Sequence, residues 1–255
     1  MNYQTIQVRF QESVCYIRFY RPEANNTINE CLVEECLQVL ELCETSATVI
    51  VLEGLPEVFC FGADLDGIYK KVTSGQRDAQ ISEPLYELWL KLATGPYITI
   101  AHVRGKVNAG GVGFVAASDI VIADQTARFS LSELLFGLYP ACVMPFLIRR
   151  IGFQKAHYLT LMTQPILVDQ AHTWGLVDAY DVKSELLLHK HLLRLKRISK
   201  QGILRYKGFV GELYDLLSHS KALALNANRE MFSDQVNQKG IIRYVETGKF
   251  PWEDE

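Results

Sequence analysis

Two glycines ahead of an apolar run, and a glutamate twenty-three residues farther on, offer the clearest chemistry in this chain. Gly110-Gly111 separates a strand-like run, Ile98 to Val103, from Val112 to Ala117, which reads as a short buried helix. Such a junction leaves backbone N–H groups unpaired at a positive helix end, where an anion or a developing oxyanion can be held. The same residues also describe a tight turn with close packing. Glu133 stands within S-L-S-E-L-L-F-G. A carboxylate in that apolar company is either a buried, paired structural acid or a proton-transfer group tuned by desolvation. Upstream, Val49 to Leu52 reads as a buried strand and leads into E-G-L-P-E-V-F-C-F-G-A-D-L, where Gly62-Ala63-Asp64 opens a second helix-like segment. Two strand-to-helix junctions of this kind can aim two N–H groups at one carbonyl oxygen, the requirement of an oxyanion hole.

The elements that would position these groups belong to an α/β chain. Ile6–Phe10 and Val14–Tyr20 alternate and are rich in β-branched and aromatic residues, as expected of a strand pair. Thr27 and Glu30 have capping-box spacing before a helix that places Leu32, Cys36, Val39, Leu40 and Cys43 on one face. The apolar run Val49–Leu52 suits a sheet covered on both sides. Leu85, Leu88, Trp89 and Leu92 form the stripe of another helix, and residues 73–84 before it read as a flexible segment and candidate lid. Ile98–Val103, Ile120–Ala123 and Arg128–Leu131 supply further strands, and Ala141–Arg150 and Gln154–Met162 further helices. From Lys183 onward the pattern is helical, which divides the chain into a core, 1–182, and a C-terminal helical region, 183–255.

Composition narrows the function classes. With 255 residues, 49% hydrophobic and 22% charged, the chain can bury a full core. The net charge of −3 and pI near 6.1 argue against general nucleic-acid binding. No apolar run approaches membrane-spanning length and no secretory signal pattern opens the chain, so a cytoplasmic location is expected. Six scattered cysteines without C-x-x-C spacing read as reduced, buried small hydrophobes, and no metal is implied.

F-C-F-G-A-D-L (59–65), V-R-G-K-V-N-A-G-G-V-G-F-V-A-A-S-D (103–119) and A-R-F-S-L-S-E-L-L-F-G-L-Y-P (127–140) resemble the three signature blocks of the crotonase, or enoyl-CoA hydratase/isomerase, superfamily. The resemblance implies a spiral of repeated ββα units with a C-terminal helical trimerisation region, assembled as a trimer or a dimer of trimers. It puts the oxyanion-hole N–H groups at Ala63 and Gly110 and a catalytic acid at Glu133. It suggests Ala141 N–H as a holder of the leaving oxygen. Tyr86 stands where some members place a substrate contact on a helix; a helix tyrosine half-buried against the core is the alternative.

The chain also departs from the family. Hydratases carry two glutamates, and the first falls on Gly113 here, which implies space beside the substrate's C3 for a branch. Isomerases use an acid in the loop that is Gly137 to Cys142 here, where no carboxylate stands. Asp64 is commonly a structural group in such proteins. One glutamate, an oxyanion hole and room at C3 suit syn elimination of water from a branched 3-hydroxyacyl thioester. The subgroup most resembled is that of the polyketide β-branching dehydratases, which implies 3-hydroxy-3-methylglutaryl on an acyl carrier protein as substrate, 3-methylglutaconyl as product, and no cofactor beyond the carrier's phosphopantetheine. A hydratase or dehydratase of a branched acyl-CoA and a non-catalytic crotonase-fold scaffold are the rival readings. Eight basic residues between Lys183 and Lys207, against the single acid Glu185, form either a solvated face or a dock for an acidic carrier through Arg194 and Arg197.

Overall fold

The computed structural model describes residues 3–74 and 81–253. In chain order the elements are β1 (Ile6–Gln11), β2 (Val14–Phe19), α1 (Glu30–Ser46), β3 (Val49–Glu53), β4 (Val58–Cys60), α2 (Leu65–Thr73), α3 (Ser82–Thr94), β5 (Ile98–Val103), β6 (Lys106–Asn108), α4 (Gly110–Ala117), β7 (Ile120–Ala123) and β8 (Arg128–Ser130). After a 3-10 turn over Glu133–Phe136 come α5 (Met144–Ile151), α6 (Phe153–Met162), β9 (Ile166–Leu167), α7 (Val168–Thr173) and β10 (Ala179–Tyr180). Four helices follow: α8 (Ser184–Leu195), α9 (Lys200–Leu213), α10 (Leu216–Ser233) and α11 (Gln235–Thr247).

The strands form two sheets, β1-β2-β3-β5-β7-β10 and β4-β6-β8-β9. Each successive turn of chain gives one strand to the first sheet, one to the second and then a helix or 3-10 turn: β3, β4, α2; β5, β6, α4; β7, β8 and the Glu133 turn. This is a ββα spiral. All pairs along the repeating strands are parallel, and only β1 with β2 and β8 with β9 are antiparallel.

Alternation decides what covers the first sheet. Cys15, Ile50, Leu52, Ala101 and Val121 point into the main core with α1, α3 and α4. Val14, Val49, Val51, Ile100 and Ile122 point the other way and are covered by Leu188 and Leu192 of α8. A sheet buried on both faces explains why β3 is apolar at nearly every position.

Several expectations are corrected. Helix α1 is capped by Asn29, whose side chain accepts from Leu32 N, while Thr27 accepts from Arg21. The capping-box spacing of Thr27 and Glu30 is therefore coincidental. The helix expected from Ala141 begins at Met144, after turns that wrap the cavity described below. In the candidate lid, Thr73 ends α2 and Ser82 starts α3; its middle, 75–80, lies outside the described residues.

The basic run is partly structural. Lys196 pairs with Glu12 at 2.7 Å, and Lys200 donates to the carbonyls of Cys43 and Ala47 at the end of α1. Lys207 is enclosed, donating to Tyr97 O at 2.9 Å and Asp119 at 2.8 Å. Arg194 lies on α8, across the sheet from the cavity, with Arg197 just beyond that helix, so neither flanks the cavity of its own chain. A dock built on those two arginines beside that cavity is corrected on this ground.

One buried polar group went unread in the sequence. His102 lies between Glu53 (Nδ1 to Oε1, 3.3 Å) and Ser184 (Nε2 to Oγ, 2.9 Å), and Arg18 donates to Glu53. The order is that of a hydrolytic triad, but all three residues are buried and none lines the cavity. The cluster pins the start of α8 to β3 and β5.

Candidate active site

A cavity of about 670 Å³ opens between the turns of the spiral and the C-terminal helices. Ala63, Gly110, Ala141 and Glu133 all line it.

Ala63 is held in a single parallel bridge to Ile28. Ile28 N donates to Gly62 O at 2.7 Å, and Asp64 N donates to Ile28 O at 3.1 Å. This pattern uses the peptide groups on either side of Ala63 and turns its own N–H away from the bridge. Asp64 fixes the junction. Its carboxylate accepts from Arg21 Nη2 at 2.9 Å and from Gly67 N at 3.0 Å, and Arg21 also donates to Thr27 O. Asp64 is thus a clasp, as the resemblance implies.

Gly110 begins α4, where the first N–H groups have no intrahelical acceptor. The preceding Ala109 has φ 48° and ψ −122°, a conformation that is strained for a side-chain-bearing residue. It is held there by Ala109 N donating to Ser130 O at 3.0 Å. A β-carbon placed on Gly62 (φ +93°) would lie 3.6 Å from Gly110 N and 2.8 Å from Ala109 Cβ. The two junctions are therefore in close approach, and only glycine permits it. Among the described residues no backbone acceptor takes the Ala63 or Gly110 N–H.

Glu133 opens the 3-10 turn that follows β8. Asn108 joins this turn to the other junction: it donates to Ser132 Oγ at 2.9 Å and accepts from Ser130 Oγ at 2.8 Å. Glu133 keeps some solvent contact, but its Oε2 is fully enclosed and has no hydrogen-bond partner. Desolvation pushes its carboxyl up to about 7, only partly opposed by its own backbone N–H. One oxygen of this acid is thus buried without the partner that a structural role requires.

The remaining candidates are placed differently. Tyr86 is fully buried, packs on Phe146 and donates to Leu217 O at 2.7 Å, outside the cavity lining. Its substrate-contact role is corrected to a strut between α3 and α10. Gly113 does not line the cavity either: a β-carbon there would meet the Trp89 ring at 2.4 to 2.7 Å. The room expected beside C3 is filled by that indole, which itself lines the cavity. Ala141 is on the wall, but its N–H donates to Tyr139 O at 2.7 Å, so it is not an open donor for a leaving oxygen.

The C-terminal helices roof the cavity. Phe136 packs on Tyr244 and Phe250, with ring centroids at 5.1 and 5.5 Å, and Phe250 stacks on Trp252. Tyr139 N donates to Met231 Sδ at 3.1 Å. Among the described residues no group of three or more His, Cys, Asp or Glu is gathered for a metal, and no helix is long and apolar enough to cross a membrane. Sequence reasoning overlooked Arg21, Asn108 and Ser132, whose signal is only their neighbourhood in sequence to the two junctions and Glu133.

Two sheets wound as a ββα spiral, with N–H groups presented at two of its strand-to-helix junctions, define the crotonase fold. The enoyl-CoA hydratase/isomerase family model matches residues 9–255. The chain is 69% identical to the bacillaene synthase dehydratase PksH of Bacillus subtilis (strain 168), across 100% of this chain and 99% of that one. It superposes on the crystal structure of pksH from Bacillus subtilis with a TM-score of 0.96, covering 98% of this chain and 100% of that one at 69% identity. The 2,3-dehydroadipyl-CoA hydratase of Escherichia coli (strain K12) is 31% identical over 66% of each chain. The chain belongs to the enoyl-CoA hydratase/isomerase family and is a hydro-lyase.

Proposed function

We propose that this protein dehydrates 3-hydroxy-3-methylglutaryl on an acyl carrier protein to the 3-methylglutaconyl thioester during polyketide β-branching. The observation that carries the reading is the Glu133 carboxyl, whose enclosed Oε2 has no hydrogen-bond partner, in the same cavity as Ala63 and Gly110. The likeness to a bacillaene synthase dehydratase supports the pathway.

In this reading the thioester oxygen sits between the Ala63 and Gly110 N–H groups. Glu133 removes a Cα proton, and the electron pair moves toward the carbonyl, where the two N–H groups hold the enolate oxygen. The electrons then return to form the Cα–C3 double bond as the C3–O bond breaks. Glu133 delivers the same proton to the departing hydroxyl, so water leaves and the carboxylate is restored. Abstraction and return from one carboxyl require both groups on the same face of the substrate, a syn elimination. No electron acceptor or metal is called for by this balance, and the acyl group needs only the carrier's phosphopantetheine. A cytoplasmic location, beside the synthase it serves, is part of the same reading.

Self-association as a trimer or a dimer of trimers is part of the proposal. Phe209 and Leu213 of α9 and Phe153 and Leu161 of α6 are large apolar side chains in solvent on this single chain, which supports coverage by further copies.

The test is incubation with 3-hydroxy-3-methylglutaryl loaded on a carrier protein and on CoA, read by intact mass. Loss of one water from the carrier form supports the proposal. Faster turnover of the CoA form favours a branched acyl-CoA dehydratase, and no turnover of either favours a scaffold.

A further inference from the structure

Folding leaves a few enclosed side-chain atoms without a partner. Among the described residues, Arg18 Nε, Trp89 Nε1, the Tyr97 hydroxyl and Glu133 Oε2 are buried and hydrogen-bonded to nothing in the chain. Trp89 and Glu133 line the cavity, whereas Arg18 and Tyr97 do not. The cavity wall therefore carries an orphaned proton-transfer group and an orphaned donor. An enclosed N–H left unpaired is costly, and on a cavity wall a bound molecule is the partner that can offset the cost.

The edge of the indole that bears Nε1 faces the start of α4. A β-carbon placed on Gly113 would lie 2.6 Å from Cε2, the ring carbon bonded to Nε1, and 2.4 Å from the adjoining Cζ2. One placed on Gly110 would lie 4.0 Å from Cζ2 and 4.0 Å from Gly62 Cα. The indole is 1% exposed and makes T-shaped contacts with Phe114 and Phe146, ring centroids 5.8 Å away in each case. Its N–H is thus carried on a fixed plate beside both strand-to-helix junctions. Other donors near the Glu133 turn are committed: Ala141 N–H to Tyr139 O, Cys142 Sγ to Ala224 O and the Asn108 amide to Ser132 Oγ.

We infer that Trp89 Nε1–H donates a hydrogen bond to the oxygen on C3 of the acyl chain and holds that oxygen as it departs. The inference rests on the reading above that a thioester is held at Ala63 and Gly110 with its Cα beside Glu133. C3 is then two bonds from the carbonyl carbon, which brings its oxygen toward the plate that flanks Gly110. Nε1 is screened from water, so the oxygen meets it only when the acyl chain is packed against the indole edge. The roles divide cleanly. The indole keeps its proton and lends a hydrogen bond, while Glu133 supplies the proton, the C3–O bond breaks and water leaves. A donor suits this position because the oxygen gains electron density as the bond breaks. A neutral hydrogen bond of this kind sets a preference of roughly 3- to 10-fold for a chain that carries the C3 oxygen.

The experiment measures binding without turnover. Two pantetheine amides, with nitrogen in place of the thioester sulfur so that the Cα proton is too weakly acidic to be removed, carry 3-hydroxy-3-methylglutaryl and 3-methylglutaryl and differ in the C3 hydroxyl. The native protein is expected to bind the hydroxy compound roughly 3- to 10-fold tighter by calorimetry. In NMR spectra the Trp89 indole proton, assigned by its loss in Trp89→Phe, is expected to move downfield with the hydroxy compound and not with the other, with Trp174 and Trp252 as references. Replacing Trp89 by β-(3-benzothienyl)alanine, in which sulfur stands for the N–H at nearly the same shape, should abolish the preference and leave 3-methylglutaryl affinity within about twofold. Absence of the preference in the native protein, its survival after the sulfur replacement, or an equal response of the Trp89 proton to both compounds overturns the inference. A Trp89 proton shifted upfield in the free protein and unmoved by either compound would assign the N–H to the Phe114 or Phe146 ring and also overturn it. Turnover is scored separately. A native protein that dehydrates the carrier form without this preference keeps the reaction and loses the donor, and one that shows the preference without dehydration refutes the reaction and keeps the donor.

Discussion

The Trp89 indole occupies the space in front of Gly113: a β-carbon on that glycine would lie 2.4 Å from Cζ2 and 2.6 Å from Cε2 of the ring. The indole, wedged between Phe114 and Phe146, has nowhere to go. Gly113, which the family resemblance sets at the position of a hydratase's first acid, therefore admits a tryptophan to the cavity wall. Gly113→Ala is expected to destabilise the protein by about 1–3 kcal/mol, the scale of overpacking. Combining it with Trp89→Phe should recover part of that cost, because the two sites touch. Urea denaturation of the two single variants and the double variant checks this, and strictly additive costs would contradict the contact.

Glu133 also links the site to stability. Its carboxyl has an ordinary value of 4.5 and is raised to about 7 in the folded protein. The folded state thus binds the proton more tightly than the unfolded chain, and stability falls as pH rises from 4.5 to 7, then levels off. Glu133→Gln removes this titration. The variant should gain stability relative to the native protein across that window, by roughly 3 kcal/mol at most. Denaturant curves at either end of the window test it. A pH-independent difference between the two proteins would show that the carboxyl is not held protonated by burial.

Asp64 is tied to Arg21 and Gly67 and positions the Ala63 N–H without meeting the proton being transferred. Asp64→Ala should lower kcat/KM by about tenfold through a misplaced donor, leaving the pH midpoint of the reaction unchanged. A loss as deep as that of Glu133→Gln, or a shifted midpoint, would make Asp64 a proton-transfer group.

The aromatic contacts of Phe250 with Phe136 and Tyr244 close the roof over the Glu133 turn. Phe250→Ala should admit water and bring the Glu133 carboxyl down from about 7 toward its ordinary value. The pH dependence of kcat/KM would then move its midpoint to lower pH. An unmoved midpoint would mean that the core, without the roof, desolvates the acid.

Much of this was legible in the sequence because it lies in the backbone. Gly62-Ala63 and Gly110-Gly111 advertise tight junctions whatever surrounds them, and the apolar setting of Glu133 in S-L-S-E-L-L marks a desolvated acid. Of the second sheet, the strand at Arg128–Leu131 was legible and the two before it were not. Val58–Cys60 and Lys106–Asn108 span three residues each, too few to display a period of two, and are fixed by pairing across the spiral. The environment of Gly113 was misread for a related reason. Absence of a side chain looks like space in a sequence, whereas Trp89 arrives from a helix distant in the chain. Tyr86 and Lys207 were equally dependent on partners far away, Leu217 and Asp119.

The central claim is that a single carboxyl, Glu133, carries both proton transfers of the dehydration. It is tested most directly by intact-mass kinetics on carrier-bound 3-hydroxy-3-methylglutaryl with the native protein and with Glu133→Gln, whose fold is first verified by circular dichroism. The native protein is expected to convert the loaded carrier to a species lighter by one water, and the variant to do so at least about 10²-fold more slowly. Turnover by Glu133→Gln within about twofold of native would contradict the account, since proton transfer by that carboxyl is worth far more than such a difference.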